Sequence, residues 1–441
     1  MQYINESVEK ARKLIIEAES FIFNHPETGY KEKITSKYLE DIFESLGYSL
    51  VKAEGITGFY TVIDTGRKGP EVLILAELDS IICPSHPNAD PETGAAHSCG
   101  HNAQCAALVG IASALKDNRI LDRLCGRIRL CAVPAEELLE IEYRKELRDK
   151  GVIKYFGGKS EFLSRGYFDG VDMAFMVHTS KEYFVRPGSV GCIAKNVIYK
   201  GVAAHAGGAP WNGKNALYAA NCGINAINAI RETFKENDII RVHPIITGGG
   251  SMVNAIPEMV TIESYVRGKT HEAIAEANKK VNQALCGAAL SLGTNIEIVD
   301  IPGYSPLVND EGMIELCRDA AAMAIPQYPF SVNPTYSSGS TDMGDLSSIM
   351  PVVQPYAAGS YGKAHGNDYR IENVDAACVD SARWQLAMLQ LLLENNAARA
   401  YSILENFTPM FTKEEFLAHL DSQNCSGDRI CYDGDVATVK L

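Results

Sequence analysis

The sequence contains one almost continuous apolar run, Val72-Leu73-Ile74-Leu75-Ala76-Glu77-Leu78, which ends at Asp79. An apolar run of this length is typical of a strand that is buried on both faces of a parallel sheet. Two further runs, 128–133 and 171–177, have the same character. Together they predict a mixed, mostly parallel central sheet with helices on both faces, and so an α/β fold.

Polar side chains directly follow each of these three predicted strands. Asp79 follows the first strand, the pair Glu136-Glu137 follows the second after Pro134-Ala135, and His178 follows the third. Open α/β sheets place their binding sites outside the carboxyl ends of the strands. We therefore expect these side chains to meet at one edge of the sheet, where they could bind a metal or orient a ligand.

A cysteine and a histidine stand two residues apart in His97-Ser98-Cys99-Gly100-His101-Asn102, and an Ala- and Leu-rich helical segment, 103–116, follows. Gly100 permits a backbone bend that would turn both side chains toward one ion. Thiolate and imidazole suit zinc and other borderline divalent metals. Taken by itself, Cys99 has an alternative interpretation as an ordinary buried free thiol.

Length and composition restrict the class of protein. A chain of 441 residues is long for one hydrophobic core, which predicts two domains. The formal net charge of −14 argues against a nucleic-acid or anionic-membrane partner. The sequence has no secretory signal, no apolar run of membrane-spanning length and no framework spacing among its twelve cysteines, so we expect reduced thiols and a cytoplasmic protein. Cys425 and Cys431 could pair, although two free thiols are the favoured interpretation.

The pattern changes near Pro187, which indicates an inserted domain. The residues that follow predict two helices, 215–234 and 273–292, and four strands, 192–200, 239–247, 259–267 and 295–301. Four strands with two helices on one face form an α+β module. The sequence thus predicts a discontinuous first domain, 1–190 and 302–441, in which 396–441 is a C-terminal extension, and an inserted domain, 191–301.

Two segments of the first domain have no pattern that indicates a binding role. The charged segment 140–150 predicts a solvated helix. Gly157-Gly158-Lys159 lacks the full spacing of a phosphate-binding loop and predicts a turn. By default, His86, His243, His271 and His419 are expected at the surface or in turns.

The adjacent glutamates point to hydrolysis, because one carboxylate can hold a metal while the other takes a proton from the attacking water. A thiolate, in addition, can bridge two ions and would be deprotonated by them. The candidate residues for this chemistry are Cys99, His101, Glu136, Glu137, His178 and His365.

Five motifs occur in a fixed order along the chain. They are Asn24-His25-Pro26-Glu27-Thr28-Gly29, Cys99-Gly100-His101-Asn102, Pro134-Ala135-Glu136-Glu137, Gly201-Val202-Ala203-Ala204-His205-Ala206 and Gly339-Ser340-Thr341-Asp342-Met343-Gly344. In this order they resemble the M20 metallopeptidase family, and specifically its amidohydrolase branch, over about residues 5–395. Many members of that branch have Asp at the position of Asn102, and in this respect the sequence is closer to the group of aminobenzoyl-glutamate hydrolases and Xaa-Arg dipeptidases.

The resemblance implies a zinc-peptidase-like catalytic domain with two divalent metal ions, zinc, manganese or cobalt. The implied ligands are Cys99 as the bridge, His101, Glu137, His178 and His365. Glu136 would be the general base. Asp79 would orient His101, a common arrangement for ligating histidines.

The resemblance also implies a role for the inserted domain, which would act as a lid and form a homodimer. His205 would stabilise the oxyanion, across the dimer, and Asn254 and Arg267 would hold a substrate carboxylate. An arginine fork suits a carboxylate, although an ion pair at the dimer interface is an alternative for Arg267. Gly339 and Ser340 would contribute to substrate binding.

The expected function is hydrolysis of the amide bond between an acyl or aminoacyl group and an amino acid with a free carboxylate. One alternative is a deacetylase or aminohydrolase that acts on another small amide. Another is a non-catalytic, metal-binding regulatory protein on the same scaffold, which would have no need for Glu136 beside Glu137. Gln104 stands where many relatives have histidine, and this departure leaves the choice of substrate open.

Overall fold

The computed structural model describes the whole chain, residues 1–441. Its α-helices are α1 (Gln2–Phe23), α2 (Lys33–Ser45), α3 (His101–Ala114), α4 (Asn118–Leu121), α5 (Ile141–Asp149), α6 (Gly158–Ser164), α7 (Ala216–Ala229), α8 (His271–Ser291), α9 (Glu311–Ala324), α10 (Met343–Ser347), α11 (Ser381–Leu393), α12 (Ala398–Asn406) and α13 (Lys413–Gln423). A π-helical segment, Asp375–Asp380, leads into α11. None of these helices is long and apolar enough to cross a membrane.

The strands are short except for a few central ones. They are β1 (Val51–Lys52), β2 (Phe59–Asp64), β3 (Glu71–Glu77), β4 (Ile81–Ile82), β5 (Ala95–Ala96), β6 (Arg127–Val133), β7 (Met173–Phe175), β8 (His178–Thr179), β9 (Tyr183–Val185), β10 (Gly188–Ser189), β11 (Gly191–Lys200), β12 (Arg241–Val242), β13 (Ile245–Gly248), β14 (Met259–Gly268), β15 (Asn295–Pro302), β16 (Leu307–Val308), β17 (Phe330–Val332), β18 (Val352–Val353), β19 (Tyr356–Ala357), β20 (Ser360–Tyr361), β21 (Arg370–Ile371), β22 (Ile430–Asp433) and β23 (Val436–Val439).

The chain forms two compact units, each built from separate segments. The first consists of Met1–Gly188, Leu307–Tyr336 and Thr341–Lys413, and the second of Ser189–Pro306, Ser337–Ser340 and Glu414–Leu441. The tail from Glu414 onward thus belongs to the second unit, whereas the sequence predicts it as an extension of the first domain. The reason is backbone pairing beside β15, where the Asp300 amide donates to the Cys425 carbonyl at 2.7 Å and the Cys425 amide donates back at 3.1 Å.

The first unit is organised around a six-stranded sheet in the order β1-β2-β6-β3-β7-β18. Strand β3 pairs in parallel with both β6 and β7, and β7 pairs in parallel with β18, while β1 and β2 are antiparallel at one edge. All seven residues of β3 are buried, as its continuous apolar run predicts. The predicted α/β class with a mixed, mostly parallel sheet is confirmed.

Helices α1, α3 and α11 form the main core of the first unit. The buried side of α1 carries apolar residues three or four positions apart, namely Ile4, Val8, Ala11, Ile15, Ala18 and Ile22. Helix α3 packs closely against this side, because a Cβ at Gly110 would lie 2.6 Å from Ile15 Cδ1 and 3.2 Å from Ala382 Cβ. This packing fixes α3, whose first residue is the candidate ligand His101.

The second unit contains an antiparallel sheet in the order β12-β14-β11-β15, with β13 also paired to β14. Buried residues alternate along β14, as expected for a strand with one face against helices, here α7 and α8. The sequence predicts one strand at 239–247, but the structure has two, β12 and β13. The break falls at Pro244, which has no amide hydrogen to donate to a ladder.

Replacement of Trp384 by alanine should lower the free energy of unfolding of the first unit by about 3–5 kcal/mol, the usual cost of removing a large aromatic side chain from a core. Trp384 is fully buried, its Nε1 donates to the Cys317 carbonyl at 3.0 Å, and its ring meets Tyr183 edge-on at 5.5 Å. Urea unfolding followed by circular dichroism measures the change. Tyr401→Ala, at an exposed position on α12, is the control and should cost no more than about 0.5 kcal/mol; equal effects of the two variants would contradict the assignment of the core.

Candidate metal centre

The three polar strand ends predicted from the sequence lie at one edge of the central sheet. Because β3 is parallel to β6 and β7, the residues that follow these strands leave the sheet on the same side. Asp79 follows β3, Glu136 and Glu137 follow β6, and His178 follows β7 as the first residue of β8. The fold therefore brings together side chains that are far apart in sequence.

Gly100 gives the loop before α3 a conformation that requires glycine. Its φ is +96°, and a Cβ there would lie 2.1 Å from Thr179 Oγ1 and 2.4 Å from the Tyr369 hydroxyl. The same tyrosine hydroxyl donates to the Cys99 carbonyl at 3.2 Å. The backbone on either side of Gly100 is thus fixed, and with it the directions of the Cys99 and His101 side chains.

Cys99 belongs to two groups of possible metal ligands. In the first, one donor atom each from Cys99, His101 and His178 lie within 4.8 Å of one another, and in the second the same holds for Cys99, Glu137 and His365. Cys99 Sγ is 3.4 Å from His178 Nε2, and His365 Nε2 is 3.1 Å from Glu137 Oε1. The five residues that the resemblance implies as ligands therefore form two neighbouring clusters that share one thiol.

Asp79 contacts one residue from each of these clusters. Its Oδ1 lies 3.2 Å from His101 Nδ1, which also lies 2.8 Å from the Asp79 carbonyl, and its Oδ2 accepts the Glu137 amide at 2.8 Å. The opposite ring nitrogen, His101 Nε2, and the carboxylate oxygen Glu137 Oε1 are buried without a well-directed hydrogen bond. Two ligand atoms that point into the clusters thus lack a protein partner, which is what a metal site requires.

The charges of the clusters favour the forms that bind metal. Burial and Glu137 raise the pKa of the Cys99 thiol, but the imidazoles of His101 and His178 outweigh them and lower this pKa to about 6. Burial also raises the pKa of Glu137, and its contact with His365 prevails and lowers it to about 2. A thiolate and an ionised carboxylate are therefore favoured near neutral pH, and these are the states in which the two groups coordinate ions.

His365 is held in place by its backbone although it lies in an irregular loop. Its amide donates to the Ser98 carbonyl at 2.7 Å, and its φ is +62°, which is uncommon for a residue other than glycine. Its side chain is 53% exposed, so it forms the open side of the second cluster.

A buried ionic group beside His101 was not expected from the sequence. Lys159 is fully buried, and its ammonium contacts Glu77 Oε1 at 2.6 Å and Asp342. Glu77 Oε2 in turn lies 3.2 Å from His101 Nε2 and accepts from the Gln104 amide at 2.9 Å. The prediction of a turn around Lys159 is wrong, since Gly158 begins helix α6, and the one sequence signal for this group is a single charge, Glu77, within an apolar strand.

The two adjacent glutamates have different surroundings. Burial and the nearby charges of Glu77 and Glu137 raise the pKa of Glu136 well above its ordinary value. Glu136 Oε2 lies 3.9 Å from His101 Nε2, and one carboxylate oxygen from each of Glu136 and Glu77 falls within 4.8 Å of the same imidazole. Glu136 thus holds a proton more readily than Glu137, although the two are neighbours in the chain.

Two further polar residues near the centre differ from expectation. His86 is buried, and its Nε2 lies 2.8 Å from the Tyr369 carbonyl, so its predicted surface position is wrong. Asn102 donates to Glu19 at 2.8 Å, a contact across helices that no sequence pattern indicates. His97 is buried and neither of its ring nitrogens makes a hydrogen bond.

The second unit contains all the residues predicted for substrate binding. Arg267 Nη1 donates to Ser340 Oγ at 3.0 Å, and the Gly339 amide donates to Ser337 Oγ at 3.1 Å. His205 is exposed in a loop that pairs with the Asn254–Ala255 segment, where the Ala206 amide donates to the Asn254 carbonyl at 2.9 Å. None of these residues belongs to either ligand cluster of the first unit.

Comparison with known families matches residues 76–391 to the peptidase family M20/M25/M40. Among curated proteins, the chain is 30% identical over 288 residues to the human Xaa-Arg dipeptidase, which covers 64% of this chain and 61% of that protein. It is 28% identical over 348 residues to the N-acetyl-L-cysteine deacetylase of Bacillus subtilis, covering 75% and 76% of the two chains. The matches to the human and mouse dipeptidases thus span about three fifths of their length.

Solved structures show the same fold. An aminohydrolase from methicillin-resistant Staphylococcus aureus superimposes with a TM-score of 0.72 at 22% identity, covering 89% of this chain and all of that chain. A dinuclear metal-binding M20 peptidase from Bacillus subtilis superimposes with a TM-score of 0.65 at 20% identity, covering 87% and 98% of the two chains. Since the matched residues 76–391 make up more than half of the sequence, the chain belongs to the peptidase family M20/M25/M40.

Proposed function

We propose that the protein is a metal-dependent amidohydrolase that cleaves the amide bond of an N-acyl or aminoacyl amino acid. One observation carries the proposal: two clusters of metal-ligand atoms share Cys99, and the carboxylate of Glu136 lies beside one of their members, Glu137. Related proteins named as a dipeptidase and as a deacetylase support an amide substrate. They leave the acyl group and the amino acid open.

The residues present fit two divalent ions. One thiolate, three imidazoles and one carboxylate suit zinc, manganese or cobalt, and the unpartnered atoms His101 Nε2 and Glu137 Oε1 would become ligands. When bound, the ions would polarise the amide carbonyl and make a water molecule more acidic. Asp79 would keep His101 and Glu137 in ligating orientations through the contacts that it makes with both.

Glu136 would move the protons of the reaction. It lies at the same strand end as Glu137 but takes no part in the two clusters around Cys99. Its carboxylate would take a proton from the attacking water and later deliver it to the leaving nitrogen. A protein that only bound metal would have no use for this second carboxylate, and this argues against the regulatory alternative.

We assign substrate recognition to the second unit. Arg267, with Asn254, would bind the free carboxylate of the substrate, and Gly339 and Ser340 would line the same region. His205 would donate to the oxyanion of the tetrahedral intermediate. The support is that His205 is exposed on a loop of small residues with no core to serve, and that the Arg267 guanidinium already bonds a hydroxyl of the Gly339–Ser340 loop.

We further propose that the protein is a homodimer formed through the second unit, which would also act as a lid. This unit exposes several large apolar side chains, an unusual number for the surface of a monomer. They are Trp211, Tyr218, Ile245, Met252, Val253 and Met259. Because all twelve cysteines are free, we assign the protein to a reducing compartment, the cytoplasm.

The first prediction tests the reaction. Protein loaded with Mn²⁺ or Zn²⁺ should hydrolyse some members of a panel of N-acetyl amino acids, dipeptides and aminobenzoyl-glutamate. Conversion of the substrate carboxylate to an amide should lower kcat/KM by roughly 10- to 100-fold, the worth of a hydrogen bond to a charged group. Liquid chromatography of the products measures both. Hydrolysis of the carboxylate and amide forms at equal rates would contradict the proposed role of Arg267, and no hydrolysis of any member by the metal-loaded protein would favour the regulatory alternative.

A graded series of variants tests the ligand assignment. Glu136→Gln should keep both ions but lose roughly 10²- to 10⁴-fold in turnover, the contribution of general acid–base catalysis. Glu137→Gln should lose one ion, since it belongs to one cluster, and Cys99→Ala should lose both, since it belongs to two. Metal content by elemental analysis and circular dichroism of each variant are the measurements. An active Cys99→Ala protein with two ions, or identical behaviour of the two glutamate variants, would overturn these roles.

Complementation tests whether His205 acts in the partner's site. His205→Ala should lower turnover by roughly 10²- to 10³-fold, as removal of one oxyanion donor does, without loss of metal. When this variant is mixed with Glu136→Gln protein and subunits exchange, each mixed dimer would contain one site with both defects and one with neither. Part of the activity should return, whereas a mixture of Glu136→Gln protein with itself should stay inactive. Confirmed exchange without recovery would place His205 in its own chain's site or outside catalysis.

A further inference from the structure

Helix α5, in the charged segment 140–150, contains one residue that does not behave as part of a solvated helix. Arg144 is only 1% exposed, and it forms no ion pair with any carboxylate. Its guanidinium donates instead to three backbone carbonyls: Phe156 at 2.5 Å, Ala135 at 3.4 Å, and Glu137. Burial of a charge is costly unless it is well bonded, so these contacts must account for its position.

Two of the three carbonyls belong to the turn that carries the glutamate pair. Ala135 has a φ of +57°, a conformation that is unfavourable for a residue with a Cβ. The turn is held from two sides, because Glu32 Oε1 accepts the Ala135 amide at 2.8 Å while Arg144 binds the Ala135 carbonyl. A strained backbone persists only where such contacts over-determine it.

Both peptide groups of Glu137 are fixed by charged side chains. Its amide donates to Asp79 Oδ2 at 2.8 Å, and its carbonyl accepts from Arg144 Nη2. The backbone of Glu137 can therefore neither rotate nor shift without breaking one of these bonds. Its carboxylate is directed in this way toward His365 Nε2, 3.1 Å away, within the second ligand cluster.

The loop between α1 and α2 is shaped to admit Arg144. A Cβ at Gly29 would lie 2.5 Å from Arg144 Nη2 and 2.9 Å from the Ala135 Cα. Thr28 Oγ1 donates to Glu140 at 2.5 Å, and Lys31 Nζ donates to Glu140 at 2.6 Å, which ties the start of α5 to the same loop. The Asn24–Gly29 motif thus makes room for the arginine and anchors the helix that supplies it.

We infer that Arg144 is a positioning residue for the metal centre, which acts by fixing the backbone of Glu136 and Glu137. The inference rests on the proposed function and extends it to a segment outside the ligand motifs. It also has a specific consequence, because Glu137 belongs to one cluster only. Loss of Arg144 should weaken the binding of one ion, that of the Cys99–Glu137–His365 cluster, and leave the ion of the Cys99–His101–His178 cluster in place.

The test is calorimetric titration of the metal-free protein with Co²⁺. In Arg144→Met protein, one of the two dissociation constants should rise by roughly 10- to 100-fold, as for other residues that support a metal ligand. The other should be unchanged, and kcat should fall while KM does not. Lys145→Met is the matched control: it removes a positive charge from the same helix, where Lys145 makes only an exposed pair with Asp149 at 3.5 Å, and both constants should stay within about threefold of wild type.

Two more variants keep the inference testable if Arg144→Met does not fold. Arg144→Lys retains the charge but cannot reach three carbonyls, and Gly29→Ala displaces the arginine without changing it. Each should weaken the same ion. In the double variant Arg144→Met, Glu137→Gln, cobalt binding should match that of Glu137→Gln alone, because both changes act on one ligand.

The outcomes separate this inference from the proposed function. Wild-type protein that binds fewer than two Co²⁺ ions would overturn the proposed function and the inference with it. Wild-type protein with two ions, together with folded Arg144 or Gly29 variants whose two constants are unchanged or equally weakened, would overturn the role of Arg144 alone.

Discussion

A single buried carboxylate, that of Asp79, holds the candidate metal centre together. It stands where β3 leaves the sheet, and it contacts His101 from the start of α3 and the amide of Glu137 from the end of β6. Each contact fixes a side chain or backbone group on a different element. Because the donors of the two clusters must lie within a few ångströms of one another, small rotations of either element would separate them, and Asp79 prevents such rotations.

Around this carboxylate, the fold buries many charges and balances them at close range. Glu77 and Asp342 share the ammonium of Lys159, with one contact at 2.6 Å, inside the first unit. The second unit has a similar arrangement, in which buried Lys195 contacts Asp300 and Asn282. Removal of one partner from such a group would leave an uncompensated buried charge, which is far more costly than replacement of the whole group. Both units therefore gain specificity from polar contacts within otherwise apolar cores.

The sequence predicts the part of the centre that depends on strands and short spacing. Buried runs fix where β3, β6 and β7 end, so the apolar pattern alone assigns Asp79, Glu137 and His178 to one edge of the sheet. The position of His365 depends on backbone contacts in an irregular loop, and only the family resemblance points to it. The same reason explains the tail from Glu414 onward, whose pairing with β15 involves backbone atoms and has no side-chain pattern.

Arg144 shows most clearly why the remainder could not be predicted. On a helical pattern, a charged residue between Glu142 and Lys145 reads as one more solvated side chain, because periodicity reports burial only for apolar residues. Its partners are carbonyl groups, which every residue possesses, so neither their number nor their location leaves a mark on composition. The loop Asn24–Gly29 is conspicuous in the sequence for a related reason: it must approach the Ala135 backbone and the arginine so closely that Gly29 cannot carry a Cβ. Residues that act on the backbone of a site are therefore the ones that sequence patterns miss, even where the ligands themselves are evident.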